Sequence, residues 1–403
     1  MIIRELDATD DTAALLDLSV RAFGPVPDRH HWEATAASVI GGQRYLAAFD
    51  GDRMAAAARF HDMTQCWAGR WLRMAGVAGV AVAPEDRGRG TGRVLMTALL
   101  GRIAEQGYPV SVLYPATSSI YRSLGWETAG GCETLAFPAR SLHSLVRPDP
   151  AAAADGAGPP GTRLRRCGPG DAAEVLTVVT GVHQALRDSG PNLRDEESFR
   201  QWLGLEGRFC YLAPDGFLAY RWQHGNDELQ VDRALAVSAA TTRAIWGIVA
   251  SHSSIAGTVR ACLGPADPVH WLTREPDVAP AARVAWMLRV VDAPAAIAER
   301  GFPAGAEVTA RLRLADPVCP DNEGLWTLEV SGGKGALSRG PAGPARGTAP
   351  RPLRAGPRGL AALYAGTPLG TLRRAGLVAD GDPATDAGLD TVFAATPFLL
   401  ETF

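Results

Sequence analysis

The chain contains two stretches that open in the same order, and this internal repeat limits the folds that it can adopt. Residues 3–11 and 164–171 each pass from a short strand-like pattern through acidic residues into a run of helical period. Residues 45–51 and 211–216 extend the match, because each is a largely apolar run that ends in Asp-Gly, a hairpin signal. Two copies of one α/β unit explain these matches. A chance likeness of two Ala-rich stretches is the alternative.

A stretch rich in Pro, Gly and Ala separates the two copies. Residues 147–161, RPDPAAAADGAGPPG, cannot build a packed face and are predicted to form a linker. The first unit therefore spans residues 1–146 and the second spans residues 162–285. From residue 286 the repeat ends and short helix and strand patterns alternate, which predicts a third, mixed α+β unit over residues 286–403.

The sharpest chemical motif lies in the first unit. Residues 80–93, VAVAPEDRGRGTGR, read as a strand, a turn rich in arginine and glycine, and the start of a helix that Gly107 closes. Glycines let backbone N–H groups approach a ligand, and a helix N-terminus adds positive charge, so the turn suits a pyrophosphate. The dinucleotide pattern G-x-G-x-x-G and the P-loop lysine are both missing. The alternative is an arginine-rich turn on a solvated helix end.

The form R-G-x-G-x-G after V-x-V-x-P resembles the coenzyme A signature of the GCN5-related N-acetyltransferases. The resemblance implies that acetyl-CoA is the co-substrate, and that backbone N–H groups of the strand hold the pantetheine arm and polarise the thioester carbonyl, as an oxyanion hole does. The cofactor-binding residues implied in this way are Val80, Val82, Arg87, Gly88, Arg89, Gly90, Thr91, Gly92 and Arg93.

A tyrosine follows the next predicted strand. Residues 120–126, I-Y-x-x-x-G-W, resemble the element of the same superfamily whose tyrosine faces the coenzyme A sulfur. A phenol with an ordinary pKa of about 10 can donate a proton to the departing thiolate. Tyr121 is therefore the expected general acid. Tyr114 is a second candidate, and a tyrosine that merely packs on the strand is the alternative.

The second unit has lost this chemistry. Residues 236–243, AVSAATTR, keep one arginine and no glycine at the corresponding place. We therefore expect the second unit to bind no coenzyme A and to brace the first unit.

Taken over its full length, the chain resembles the enhanced intracellular survival (Eis) family. The specific parts are residues 80–93, residues 120–126, the run LRVVD at 288–292 and the apolar C-terminus. The resemblance implies an α/β (α+β) chain of two tandem acetyltransferase folds, the second degenerate, followed by a sterol-carrier-like domain. It also implies acetyl-CoA-dependent acetylation of aminoglycoside amines and assembly as a homo-hexamer. In this family the C-terminal carboxylate enters the first active site as the base, a position that Phe403 holds here.

Acidic residues near the implied pocket suit a polycationic amine. Glu401 would reinforce the terminal carboxylate, and Asp28, Trp32 and Glu33 lie in a region like the one that lines the family's pocket. An ordinary solvated surface is the alternative for Asp28 and Glu33. His30 or His31 could replace the terminus as base. Protein lysines or polyamines are alternative acceptors, and the third unit raises lipid transport as a different class of function.

Charge, hydropathy and cysteine content limit the class of protein and its cellular location. A net charge of −3 excludes a general nucleic-acid binder, and no run approaches the roughly 18 apolar residues of a membrane span. The six cysteines lie far apart without a C-x-x-C pair, so we expect reduced thiols and no metal site. The acidic start lacks the layout of a signal peptide, which favours a cytoplasmic protein.

Overall fold

A computed structural model describes residues 1–7, 11–146, 163–273, 279–340 and 351–403. The predicted linker, 147–161, lies outside these described residues. The first unit contains β1 (Ile2–Glu5), α1 (Thr12–Phe23), α2 (Arg29–Gly41), β2 (Tyr45–Asp50), β3 (Arg53–Trp67), β4 (Arg70–Val82), α3 (Thr91–Glu105), β5 (Val110–Leu113), α4 (Ser118–Ser123), β6 (Glu127–Pro138) and α5 (His143–Val146).

The second unit repeats this order of elements, as the sequence predicts. It contains β7 (Arg165–Cys167), α6 (Ala172–Leu186), β8 (Asn192–Leu193), α7 (Glu196–Leu203), β9 (Arg208–Ala213), β10 (Gly216–Gln223), β11 (Glu228–Ala236), α8 (Ala239–Ser251), β12 (Thr258–Leu263), α9 (Val269–Leu272) and β13 (Ala279–Val290). The short strand β8 pairs with β3 of the first unit. The predicted boundary between residues 285 and 286 falls inside β13, so a continuous strand rather than a linker leads into the third unit.

The third unit holds the remaining elements. They are α10 (Ala293–Glu299), β14 (Val308–Leu314), β15 (Gly324–Ser331), β16 (Lys334–Arg339), β17 (Leu353–Ala355), α11 (Pro357–Tyr364), α12 (Leu369–Arg374), β18 (Val378–Asp380) and α13 (Pro383–Phe393). Its strands form a separate five-stranded sheet in the order β16-β15-β14-β17-β18. Trp326 and Tyr364 of this unit share one hydrophobic core with Met63 and Trp67 of β3. The third unit is therefore packed against the first.

The first two units share one sheet and exchange their last strands. The order is β1-β2-β3-β4-β5-β13-β6-β12-β11-β10-β9-β7. Strand β13 of the second unit thus lies between β5 and β6 of the first, and β6 pairs in turn with β12 of the second. Neither unit has a complete sheet without the other.

The two faces of the first unit's sheet carry different helices. Leu95, Leu99 and Ile103, the predicted apolar stripe of α3, are fully buried against one face. Helices α1 and α2 cover the other face, where Leu15 and Val39 pack against alternate residues of β2 and β3. We call these the α3 face and the α1–α2 face. The alternation follows from strand geometry, which points successive side chains to opposite sides.

All six cysteines are free thiols, in line with the prediction from their spacing. Among the described helices, none is long and apolar enough to cross a membrane.

A buried ion pair joins the exchanged strand to the third unit. Arg289 of β13 is fully buried and donates to both carboxylate oxygens of Asp316, at 2.6 and 2.8 Å. Asn322 donates a further hydrogen bond to Asp316, at 3.0 Å. The Nε group of Arg289 donates to the carbonyl oxygen of Leu124, directly after α4. One guanidinium therefore links all three units.

Replacing Arg289 by Met should lower the free energy of unfolding by about 3–5 kcal/mol, because Asp316 then becomes a buried charge without its partner. Arg21→Gln is the matched control, since the Arg21–Asp17 pair is about 60% exposed on both sides and should contribute less than about 1 kcal/mol. Urea unfolding followed by circular dichroism measures both. An equal, small effect for the two variants would contradict this account.

Candidate active site

Strands β4 and β5 diverge and leave a cleft in the first unit. They pair in parallel only from Met74–Val110 to Val77–Leu113. Beyond Val77, the edge of β4 toward β5 has no strand partner in the described part of the chain. Its other edge remains paired with β3 up to Val82. We call the space between residues 78–82 and the segment after Leu113 the β4–β5 cleft. The unpaired backbone N–H groups along this edge can donate hydrogen bonds to an extended ligand.

A β-bulge shapes the β4 side of this cleft. Ala81 pairs with Ala57 and Ala78 with Arg59, so β4 holds one extra residue here. Gly79 adopts a φ of +59°, which favours glycine. The bulge shifts the alternation of side chains by one residue, so Val80 and Val82 pack on the α3 face. The cleft therefore opens toward the N-terminus of α3.

The glycine-rich turn after β4 has the shape expected of an anion cradle. Gly88 and Gly90 have φ values of +77° and +83°, and a Cβ on either would meet nothing within 4 Å. At Gly92, a Cβ would come within 3.2 Å of Val82 and 3.3 Å of Ile120. The start of α3, the end of β4 and helix α4 therefore meet at one point, and the space beside the turn is open.

The predicted phosphate-binding arginines lie around this turn. Arg87, Arg89 and Arg93 are exposed. The Nε group of Arg87 donates to the carbonyl oxygen of Val82 at 3.3 Å, which holds the side chain against the end of the strand. Arg89 lies 3.9 Å from Asp86. The residues present thus fit a pyrophosphate: open glycines, a helix N-terminus with Thr91 in its first turn, and three cationic side chains.

Tyr121 lies in α4 on the α3 face of the cleft. It is 7% exposed and packs in one core with Leu113, Trp126, Val80 and Val82. Its hydroxyl makes no hydrogen bond within the described residues, and burial raises its pKa. The other candidate differs, because Tyr114 donates its hydroxyl proton to the carbonyl oxygen of Glu401 at 2.9 Å.

The C-terminal segment reaches the same cleft from the opposite face. A Cβ on Gly76 of β4 would lie 2.9 Å from the Phe403 ring and 2.8 Å from the sulfur of Met63. The Phe403 ring also packs edge-on against Tyr114, with centroids 5.5 Å apart. Tyr121 and Phe403 therefore flank the region where β4 and β5 diverge, one on each face of the sheet.

The remaining predicted substrate residues are placed differently. Asp28 directly precedes α2, and Trp32 packs against the core under α1 and α2. Glu33 forms an ion pair with Arg29 one helical turn away, at 2.8 Å. Glu401 pairs with Arg233 at 2.9 Å. Glu33 and Glu401 therefore already have cationic partners.

Sequence reasoning missed several polar residues near the cleft. Arg59 and His61 of β3 lie near Arg194, which follows β8. Burial, reinforced by the neighbouring arginines, lowers the pKa of His61 to about 3. Single polar residues within a strand carry no motif, so only their alternation with buried neighbours could have singled them out.

The equivalent cleft of the second unit holds the C-terminal segment. Strands β11 and β12 pair in parallel only up to Val231 and Ala261. A cavity of about 350 Å³ lies where they diverge, lined partly by Phe398 and Leu400. The buried Arg233 lies two residues beyond the last pair, as Gly79 does in the first unit, and binds Glu401. This cavity thus lies in the second unit and not at the glycine-rich turn.

Comparison with known proteins assigns the three units. Residues 3–129 and 190–290 each match an acetyltransferase (GNAT) domain family, and residues 293–400 match a sterol carrier protein domain. The crystal structure of a GCN5-related N-acetyltransferase from Kribbella flavida is 42% identical, with a TM-score of 0.91 over 100% of this chain and 98% of that chain. The chain belongs to the GCN5-related N-acetyltransferases.

The comparisons also confirm the predicted resemblance to the Eis family and the predicted order of folds. N-acetyltransferase Eis of Mycobacterium tuberculosis is 29% identical over 251 residues, 57% of this chain and 58% of that protein. The match thus spans under two thirds of the curated relative's length. An uncharacterized N-acetyltransferase of Streptomyces avermitilis is 28% identical over 81% of this chain and 82% of its own length. Eis1 of Mycobacterium abscessus shares the fold, with 23% identity and a TM-score of 0.77 over both full chains.

Replacing Arg87 and Arg93 together by Gln should weaken coenzyme A binding about tenfold or more, because charge-assisted hydrogen bonds to the pyrophosphate are lost. The loss should grow smaller as salt is raised. Isothermal titration with coenzyme A measures the dissociation constant.

Arg243→Gln is the matched control for this experiment. Arg243 occupies the corresponding turn of the second unit, in α8, and its replacement should leave coenzyme A binding unchanged. Weaker binding in the control would contradict the expectation that only the first unit binds the coenzyme.

Proposed function

We propose that this protein is an acetyl-CoA-dependent N-acetyltransferase that acts on the amine of a small molecule. The observation that carries the proposal is the β4–β5 cleft, which opens beside a glycine- and arginine-rich turn at the start of α3. The family membership supports it independently. The cleft offers backbone N–H groups along residues 78–82 to an extended pantetheine arm, and the turn offers open space and positive charge to a pyrophosphate.

Acetyl-CoA would supply the acetyl group as an activated thioester. The chain's own residues would then move two protons. In this proposal Tyr121 donates its phenolic proton to the departing thiolate and recovers a proton afterwards. The absence of a competing hydrogen bond and the raised pKa support this role, because both keep the phenol protonated and available. Backbone N–H groups near Val80 would polarise the thioester carbonyl.

The base in this proposal is the carboxylate of Phe403. An ammonium group must lose a proton before its nitrogen can attack. In a chain that ends at Phe403, the terminal carboxylate would lie on the α1–α2 face, opposite Tyr121. The packing of the ring against Gly76 supports this position. Acid and base would thus approach the reacting atoms from opposite sides of the sheet.

The acceptor class is the finer part of the proposal. The likeness to Eis, together with the acidic terminus, supports polycations such as aminoglycosides, with Asp28, Trp32 and Glu33 as candidate contacts. Protein lysines and polyamines are the alternative acceptors.

The Eis resemblance also supports assembly as a homo-hexamer and a location in the cytoplasm. Sedimentation analysis of the purified protein tests the oligomeric state.

Release of free thiol from acetyl-CoA in the presence of a panel of amines tests the proposed activity directly. A lipid carrier, the alternative class suggested by the third unit, would release no thiol with any amine and would bind a fatty acid or sterol tightly.

Tyr121→Phe should lower kcat by roughly 10²–10⁴-fold, the usual contribution of a general acid, while leaving the KM for acetyl-CoA nearly unchanged. Steady-state thiol release measures both constants. Tyr114→Phe is the control, because the Tyr114 hydroxyl is already bound to the Glu401 carbonyl oxygen. A Tyr121→Phe variant with full kcat would show that the phenol is not the acid.

Adding three glycines after Phe403 should lower kcat at least about 100-fold, because the carboxylate is then moved away from the cleft. Mass spectrometry of the intact chain verifies its end. A chain with three glycines inserted after Gly225, in the exposed turn between β10 and β11, should keep its activity. Full turnover by the extended chain would exclude the terminal carboxylate as base.

A further inference from the structure

The sheet face that carries the Phe403 ring also carries an arginine, Arg59, that has no hydrogen-bond or ion-pair partner among the described residues. Arg59 and Met63 point to the same side of β3, because alternate residues of a strand share a face, and Met63 lies beside the Phe403 ring at Gly76. Arg59 forms no hydrogen bond or ion pair with any described residue. Its Nε atom is inaccessible to solvent and unsatisfied. Buried polar groups in folded proteins are normally paired, so this one calls for an explanation.

Arg59 lies directly beside the bulge of the cleft. Its Nε atom is 3.4 Å from the position that a Cβ on Gly79 would occupy, and the hydroxyl of Tyr45 is 3.7 Å from the same point. Its guanidinium carbon lies 5.9 Å from the centre of the Tyr45 ring. Gly79 precedes Val80, whose backbone is proposed to hold the thioester carbonyl. Under the proposed function, Arg59 would therefore lie near the thioester, on the face of the sheet that carries the Phe403 ring.

A second unpaired arginine reinforces the positive charge. Leu193 of β8 pairs with Thr64 of β3, and this pairing holds the next residue, Arg194, alongside the same strand. Arg194 likewise has no ion pair within the described residues. Burial lowers the pKa of Arg59, and the nearby charge of Arg194 lowers it further. His61, two residues after Arg59 on the same face of β3, is neutral at pH 7 because burial and the arginines lower its pKa to about 3.

Two cations held close together in a partly buried site, with no described carboxylate paired to either, repel each other and lose hydration. An anionic group bound between them would relieve both effects. We propose that the acceptor amine of this enzyme also carries an acidic group, a carboxylate or a phosphate, which Arg59 and Arg194 bind. This inference rests on the proposed acetyl transfer to a small-molecule amine and replaces the polycationic acceptor by an amine that carries an acidic group.

The ion pairs of Glu401 and Glu33 are consistent with an acidic acceptor. Glu401 is paired with Arg233 and Glu33 with Arg29, so neither is free to attract a polycation without losing its present partner. A polycation at the Phe403 side of the cleft would also meet the charges of Arg59 and Arg194. An amine with an acidic group would place its anion on the arginines and its nitrogen toward the thioester.

In this scheme the two arginines bind the acidic group of the acceptor and orient its amine, and they exchange no proton. The amine nitrogen forms a bond to the acetyl carbonyl carbon while the carbon–sulfur bond breaks. The thiolate receives the proton of Tyr121. The ammonium loses two protons: one passes to the Phe403 carboxylate and then to water, and the other restores the phenol of Tyr121 through solvent. The products are the N-acetylated acid and free coenzyme A.

Two matched pairs of amines test the proposal: an amino acid against its carboxamide, and phosphoethanolamine against ethanolamine. An aminoglycoside and a polyamine complete the panel. We expect kcat/KM to favour the acidic member of one pair at least about tenfold, and that pair identifies the anion. Arg59→Gln should reduce this ratio roughly 10- to 100-fold, the effect of losing a charged hydrogen bond. Arg59→Lys should retain part of the ratio.

The control variant is Arg313→Gln, an exposed arginine on β14 of the third unit, which should keep the wild-type ratio. Equal turnover of both members of each pair, or a preference for the polycations, would overturn the inference. An equal loss for both members in Arg59→Gln would overturn it too, because Arg59 would then act on the terminal carboxylate instead of the acceptor.

A complete lack of thiol release with every amine would contradict the proposed function separately. Calorimetric titration of the amino acid and of phosphoethanolamine then decides the present inference. Binding that Arg59→Gln weakens about tenfold or more supports an anion site. No binding, or binding that the substitution leaves unchanged, overturns it.

Discussion

The buried pair of Arg289 and Asp316 holds together the parts on which the candidate site depends. Arg289 belongs to the strand that the second unit inserts into the first, and Asp316 belongs to the third unit. The same guanidinium binds the carbonyl oxygen of Leu124, three residues after Tyr121. The position of the candidate acid is therefore fixed through an ion pair that lies outside the cleft. Desolvating both charges is offset by their bidentate contact and by the further hydrogen bond from Asn322.

The two repeated units have divided their roles at equivalent positions. Each has a pair of parallel strands that diverge after four paired residues. In the first unit, glycine at the bulge and in the turn leaves the cleft open. In the second, Arg233 and the residues around it hold Glu401 and the chain that leads to Phe403. The second cleft thus serves to direct the C-terminal segment into the first.

Much of the fold and part of the site could be predicted from the sequence. The duplicated order of elements and the turn at residues 80–93 are local patterns, which can be recognised whichever strands pair with each other. The strand exchange is different, because β6 and β13 have the same alternation whether they pair within a unit or across units. Arg59 and Arg194 could not be predicted for a related reason: what distinguishes them is the lack of an ion-pair partner among the described residues, which only the packed structure reveals. The prediction of an acidic pocket from Glu33 and Glu401 did not include Arg29 and Arg233, the arginines that pair with them.

The exchange of β6 and β13 has a consequence for how the protein is made. Strand β5 has been synthesised once residue 113 is added, yet the strand that lies next to it is complete only at residue 290. The first unit therefore cannot close its sheet while it emerges from the ribosome, although domains generally fold in order of synthesis. Until then the facing edges of β5 and β6 are exposed, and exposed strand edges pair readily with other chains. Nascent chains of this protein thus pass through a stage in which unpaired strand edges favour aggregation.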